Sequence, residues 1–170
     1  DARSFGRRAN RARRELGLHG PVLDAGCGPG PYTADLGRPV VALDAARAML
    51  ELVPEHAPAA LRVQGDLSAL PFRTHGLRAA WASKSYVHLP RTEVPMALHD
   101  LHRTLAVGSP IELIVFDGDM EHGTFGHRRG AGEIGHGAPV AQRRVAERVG
   151  EQQVDHAKQH NRQRDGGDGQ

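Results

Sequence analysis

The stretch Val22-Leu23-Asp24-Ala25-Gly26-Cys27-Gly28-Pro29-Gly30 passes from apolar residues suited to a buried strand into three alternating glycines. A strand that runs into Gly-x-Gly-x-Gly and then a helix builds a floor on which a ligand lies against bare backbone. Gly26 allows the sharp turn, because positive φ costs it no Cβ clash. Gly28 and Gly30 remove side chains where a cofactor would press on the main chain, and the helix beyond offers free N–H groups. A dinucleotide fingerprint, Gly-x-Gly-x-x-Gly, would need a third glycine at position 31, which is Pro31.

Upstream, residues 3–17 carry six arginines and one acid, Glu15, in a pattern that predicts a basic surface helix ending at Gly17. His19-Gly20-Pro21 then breaks the chain. Downstream, residues 31–36 are expected to form a short helix, with Pro31 tolerated in its first turn. Residues 39–44 form an apolar run ending in Asp44, which lies 20 residues beyond Asp24. In a strand–helix–strand unit an acid at this point accepts both ribose hydroxyls of an adenosine. Residues 45–53 follow as a helix ended by Pro54 and Pro58, and 61–66 as a third strand. Residues 77–83 read as a fourth strand. Residues 92–105 read as a helix whose core face is Val94, Leu98, Leu101 and Leu105, and 111–116 as a fifth, buried parallel strand.

The glycine stretch resembles motif I of the class I S-adenosylmethionine-dependent methyltransferases. Three further segments carry the resemblance in the same order: Gly65-Asp66-Leu67 followed by Leu70-Pro71-Phe72, Ser83 through Pro90 with its His88-Leu89-Pro90 turn, and Leu98 through Ser109. Lys84 departs towards charge, Val107 replaces a common proline and Ser109 a common glycine. The resemblance spans roughly residues 16–118. It implies an α/β, Rossmann-like doubly wound and mostly parallel sheet, with five recognisable strands of an expected seven. It also implies an S-adenosylmethionine site in which Gly26, Cys27, Gly28 and Gly30 underlie the methionine part. Asp24 would lie near the amino group, Asp44 on the ribose and Asp66 and Leu67 at the adenine, with Ser83 also among the cofactor-binding residues. His88 and Tyr86 are the candidates for a general base, should the acceptor have to lose a proton. The expected acceptor is a small organic molecule.

The composition is that of a soluble domain, with 39% hydrophobic residues, 25% charged residues and a formal charge of +2. It gives no reason to expect a nucleic-acid or membrane partner. The single cysteine, Cys27, excludes an internal disulfide and suits a cytoplasmic location. The chain does not open with methionine, so an upstream start is expected. After about Asp119 the character changes: residues 121–170 hold one aromatic, Phe125, but ten of the 21 glycines and six of the seven glutamines. The organisation expected is therefore a basic helix (1–20), an incomplete methyltransferase domain (21–119) and a low-order tail (120–170) containing no strand. A short helix over 143–149 is its one regular element. We expect a frameshift near residue 120 to be its origin. His156 and His160 share a helical spacing, but neither Cys nor acid joins them, so no metal site is expected. Two alternatives stand beside the methyltransferase reading: a non-catalytic relic of such an enzyme, and a nicotinamide-dependent oxidoreductase.

Overall fold

A computed structural model describes residues 1–116 and 142–150. Its centre is a six-stranded sheet in the order β3-β2-β1-β4-β5-β6. The strands are β1 (Val22–Ala25), β2 (Val40–Asp44), β3 (Leu61–Gln64), β4 (Ala79–Ser83), β5 (Pro110–Phe116) and β6 (Gln142–Arg148). The first five run parallel, and β6 pairs antiparallel with β5, from Pro110 opposite Arg148 to Phe116 opposite Gln142. β1 is wholly buried and β2 and β4 nearly so, as continuous apolar runs demand in a sheet covered on both faces. β3 and β6 are the outer strands of the described sheet, and Leu61 of β3 is 61% exposed.

Alternation along the strands sorts the core into two layers. Val22, Val40, Ala79 and Trp81 face α1 (Ala2–Leu16), which buries Phe5 and Ala9 against them. The Phe5 and Trp81 rings meet at 5.5 Å with a 51° tilt. Ala42 on this same face packs against Leu50 and Val53 of α2 (Arg47–His56). Leu23, Val41, Leu43, Ala80 and Ala82 face the other way, onto Ala97 and Leu101 of α3 (Val94–Thr104) and onto Leu105. Two buried charges belong to the α1 layer. Glu112 of β5 pairs with Arg8 of α1. Arg78 donates to the carbonyls of Gly20 and Arg38, at 2.5 and 2.8 Å, and so ties together the loops entering β1 and β2.

Several expected elements differ in detail. Residues 33–36 form a 3-10 turn rather than an α-helix. α2 continues through Pro54 to His56. Proline at 54 removes the amide that would have bonded the Leu50 carbonyl, and the Arg62 guanidinium donates to that oxygen instead, at 3.3 Å. On α3 the buried positions are Ala97, Leu101 and Thr104, with Leu98 at the margin of the core and Val94 half-exposed.

The largest correction concerns the tail. The helix expected over 143–149 is a strand, Gln142–Arg148, so the region beyond residue 120 does contribute to the sheet. Its Ala, Arg, Glu and Gln residues favour a helix locally, but the open edge of β5 offers a full row of backbone partners. Val149 closes the contact. It is buried in the α3 layer, and its amide donates to the Ser109 carbonyl at 3.1 Å while its own carbonyl accepts from Gly108 at 2.8 Å. Phe125, His156 and His160 lie outside the described residues, as do the rest of 117–141 and 151–170.

Candidate active site

The chain runs outward from β1 to β2 and β3 on one side and from β4 to β5 on the other, so the order reverses between β1 and β4. Open α/β sheets place ligands in the crevice outside the carboxyl ends of their strands at such a reversal. A cavity of about 430 Å³ opens there. Its lining includes Gly26 and Gly28 after β1, Asp44 and Ala45 after β2, Gly65, Asp66 and Leu67 after β3, and Ser83, Lys84, Ser85 and His88 after β4. Leu43 and Leu89 add apolar wall.

The loop after β1 is anchored to β2. The amides of Gly26 and Cys27 both donate to the Leu43 carbonyl, at 2.8 and 2.9 Å. Gly26 sits at φ 69°, and a Cβ there would come 2.3 Å from the Cβ of Ser85. The glycine is therefore required both by its turn and by the β4 loop pressed against it. Gly28, at φ 56°, is different, since a Cβ on it would meet nothing within 4 Å and would stand in open space. A Cβ on Gly30 would contact Thr33 and Val53 instead, so its smallness serves packing inside the protein and not approach of a ligand.

The three acids in sequence order hold three different positions. Asp24 is buried in β1 and is absent from the cavity lining, and its Oδ2 accepts the Thr33 hydroxyl at 2.6 Å. Burial pushes its pKa up to about 6, against the lowering effect of that hydrogen bond and with a smaller push from Asp44. Asp24, expected near a ligand's amino group, thus lies behind the lining in this structure. A carboxylate on the α1–α2 side of the strand faces Thr33, beneath the loop. Asp44 is half-buried in the lining, its Oδ2 accepting from Gly28 N–H at 2.9 Å and its Oδ1 from Ala46 N–H at 2.8 Å. Asp66 is exposed at the other wall. Its Oδ1 accepts both the amide and the hydroxyl of Ser68, at 2.8 Å each, which holds its carboxyl below the usual range. That is the geometry of a turn aspartate, at a residue that also lines the cavity.

Cys27 is buried outside the lining, with its thiol pushed up to about 12 by burial and by Asp24 and Asp44. Such a thiol is an inert packing group. Ser83 and His88 do reach the cavity. Tyr86 does not: it is buried in the α3 layer, its hydroxyl has no hydrogen-bond partner among the described residues, and burial with the nearby Asp100 raises its pKa. The phenol, expected as a candidate base, thus stands in the core and apart from the cavity lining. The sequence had passed over Ser85 and treated Lys84 as a mere departure. Lys84 adopts φ 60°, an uncommon conformation for a residue with a side chain, and its position after an apolar strand was the available signal.

These groups suit a nucleoside-bearing cofactor. A carboxylate with spare lone pairs on each oxygen faces a glycine with open space over it, and apolar side chains line the walls between them. Fold and crevice together define a Rossmann-like domain of the methyltransferase class. Residues 22–108 match the methyltransferase domain family, and the chain belongs to that family, whose cofactor is S-adenosylmethionine. Among curated proteins it is similar to the malonyl-[acyl-carrier protein] O-methyltransferase of Pseudescherichia vulneris, at 34% identity over 93 residues, 53% of this chain and 36% of that protein. The corresponding enzyme of Erwinia billingiae is 30% identical over 104 residues, 59% of this chain and 41% of that one. The chain thus spans little more than a third of the length of the curated relatives it matches. Among solved structures, the SAM-bound CalS10 amino pentose methyltransferase of Micromonospora echinaspora superposes with a TM-score of 0.54 at 23% identity, over 66% of this chain and 50% of that one. The [4+2]-cyclase SpnF superposes at 0.50 and 19%, over 65% and 44%. Likenesses at this identity concern the fold, and the cyclase among them shows that one fold carries different reactions.

Proposed function

We propose that this chain transfers a methyl group from S-adenosylmethionine to a small-molecule acceptor. The carrying observation is the convergence of Gly28, Asp44, Asp66 and Leu67, from three separate strand ends, on one cavity. In this reading the Asp44 carboxylate accepts the ribose hydroxyls while Gly28 N–H and Ala46 N–H hold it in orientation. Asp66 and Leu67 take the adenine, and the bare backbone of Gly26 and Gly28 takes the methionine part. Asp24, through Thr33, Cys27 and Gly30 support the loop from below. The cofactor supplies a methyl carbon already activated by its sulfonium. The protein's part is then to orient the acceptor along one line and to exclude water. His88 lines the cavity, and in this reading it takes the proton from an acceptor that must lose one. The names of the curated relatives make a malonyl thioester the first acceptor to try.

The test is a thermal melt of the purified protein with S-adenosylhomocysteine, and with NAD as control. At about 100 times its dissociation constant the ligand adds about 2.7 kcal/mol, a rise of about 5–10 °C for a chain of this size. Asp44→Ala is expected to weaken S-adenosylhomocysteine at least about tenfold by calorimetry, equivalent to about 1.4 kcal/mol. A midpoint that moves with NAD and not with S-adenosylhomocysteine would overturn the proposal in favour of an oxidoreductase.

A further inference from the structure

The cavity has two ends of unlike charge. The β2 and β3 end carries the carboxylates of Asp44 and Asp66, whereas the β4 end carries Lys84, Ser85 and His88. Among the described residues, Lys84 is the only lysine or arginine in the lining. Its ammonium lies 5.9 Å from the centre of the Phe116 ring, at the carboxyl end of β5, and has no carboxylate partner among the described residues. Its amide is fixed to the Ile114 carbonyl at 2.8 Å, which sets the direction of the residue from the sheet itself. Lys84 also holds φ 60°, a conformation that glycine would adopt without cost. Ser85, next in the chain, is 7% exposed and lines the same cavity. Its Oγ is sealed from solvent against the Gly26 turn, so this residue fixes the loop that carries Lys84.

We infer that the acceptor carries an anionic group, a carboxylate, held at the β4 end of this cavity by the Lys84 ammonium. The inference rests on the methyltransferase reading, because the opposite end must be filled by the nucleoside for this end to be the acceptor's. An ammonium there attracts an acid and disfavours a cationic amine, so the residue sets specificity by charge. The ring of Phe116 keeps the lysine stem in place without neutralising it.

The test uses the full chain saturated with S-adenosylhomocysteine. Ligand-observed NMR is run against a matched series of acids, from acetate to malonyl-N-acetylcysteamine, each beside its neutral methyl ester. The wild type is expected to bind acids of the series in preference to their esters. Lys84→Met should lose that preference at least about tenfold, and Lys84→Arg should keep most of it. Methionine accepts the same left-handed backbone at similar cost, so the comparison isolates the charge. Each variant is titrated with S-adenosylhomocysteine in parallel. Retained S-adenosylhomocysteine binding with no acid preference in the wild type, or with a preference that survives Lys84→Met, overturns the inference and leaves the cofactor reading standing. Loss of S-adenosylhomocysteine binding in the wild type would instead sink the reading beneath it, and the inference with it.

Discussion

Asp24 is a carboxylate held inside the sheet, and its pKa rises from 3.8 to about 6 because burial penalises its charged form. Below the unfolded value both states are protonated. As pH rises between about 4 and about 6 the unfolded chain gives up its proton first, so this group lowers stability across that window, by about 2–3 kcal/mol in all, and the loss persists above it. Asp24→Asn keeps an acceptor for Thr33 and removes the charge. From about pH 4 to about pH 7 the urea midpoint of the variant should therefore fall less, or rise more, than that of the wild type. Equal pH dependence in the two proteins would mean that Asp24 is not buried as described. At this scale the sequence made the order of the acids legible but not their environments. Asp24, Asp44 and Asp66 each end or interrupt an apolar run, yet one faces Thr33, one the loop amides and one solvent. Tyr86 and His88 are two residues apart and equally suggestive as letters, and only the 3-10 turn Tyr86–His88 sends one into the core and the other to the cavity.

Among the elements, β6 is the one whose nature depended on its neighbour. Gln142–Arg148 has neither a clean alternation nor an apolar face, and what it gains comes from backbone pairing along β5. Its attachment is best probed at Val149, which is 5% exposed against the α3 layer. Val149→Asp should cost about 2–3 kcal/mol, lowering the thermal midpoint by roughly 5–10 °C, because it places an unpaired carboxylate among apolar groups. A change within about 0.5 kcal/mol would show that the strand does not dock there. The parallel strands, by contrast, were legible in advance, since runs such as Val40-Val41-Ala42-Leu43 have no other use than a sheet covered on both faces. α2 outran its expected stop because one guanidinium, that of Arg62, served the carbonyl that Pro54 had left open.

For the whole molecule, protection should follow the sheet order. Amides of β1, β2 and β4, covered by α1 and α2 on one face and α3 on the other, are expected to exchange slowest with deuterium. Those of β3 and β6, the outer strands of the described sheet, should exchange faster. A β3 as protected as β1 would point to a further partner along that edge. The sequence by itself determined the class of fold, the parallel strands and the family. These rest on local features: apolar run length, glycine spacing and acids at strand ends. The tertiary structure alone decided that Asp24 supports the loop from beneath, that Tyr86 is core, that Lys84 and Ser85 share the cavity with Asp44, and that a segment rich in helix formers pairs as β6. Each of these depends on what lies opposite a residue across the sheet or at the next strand end. That is set by the packing of segments far apart in the chain, on which local propensity carries no information.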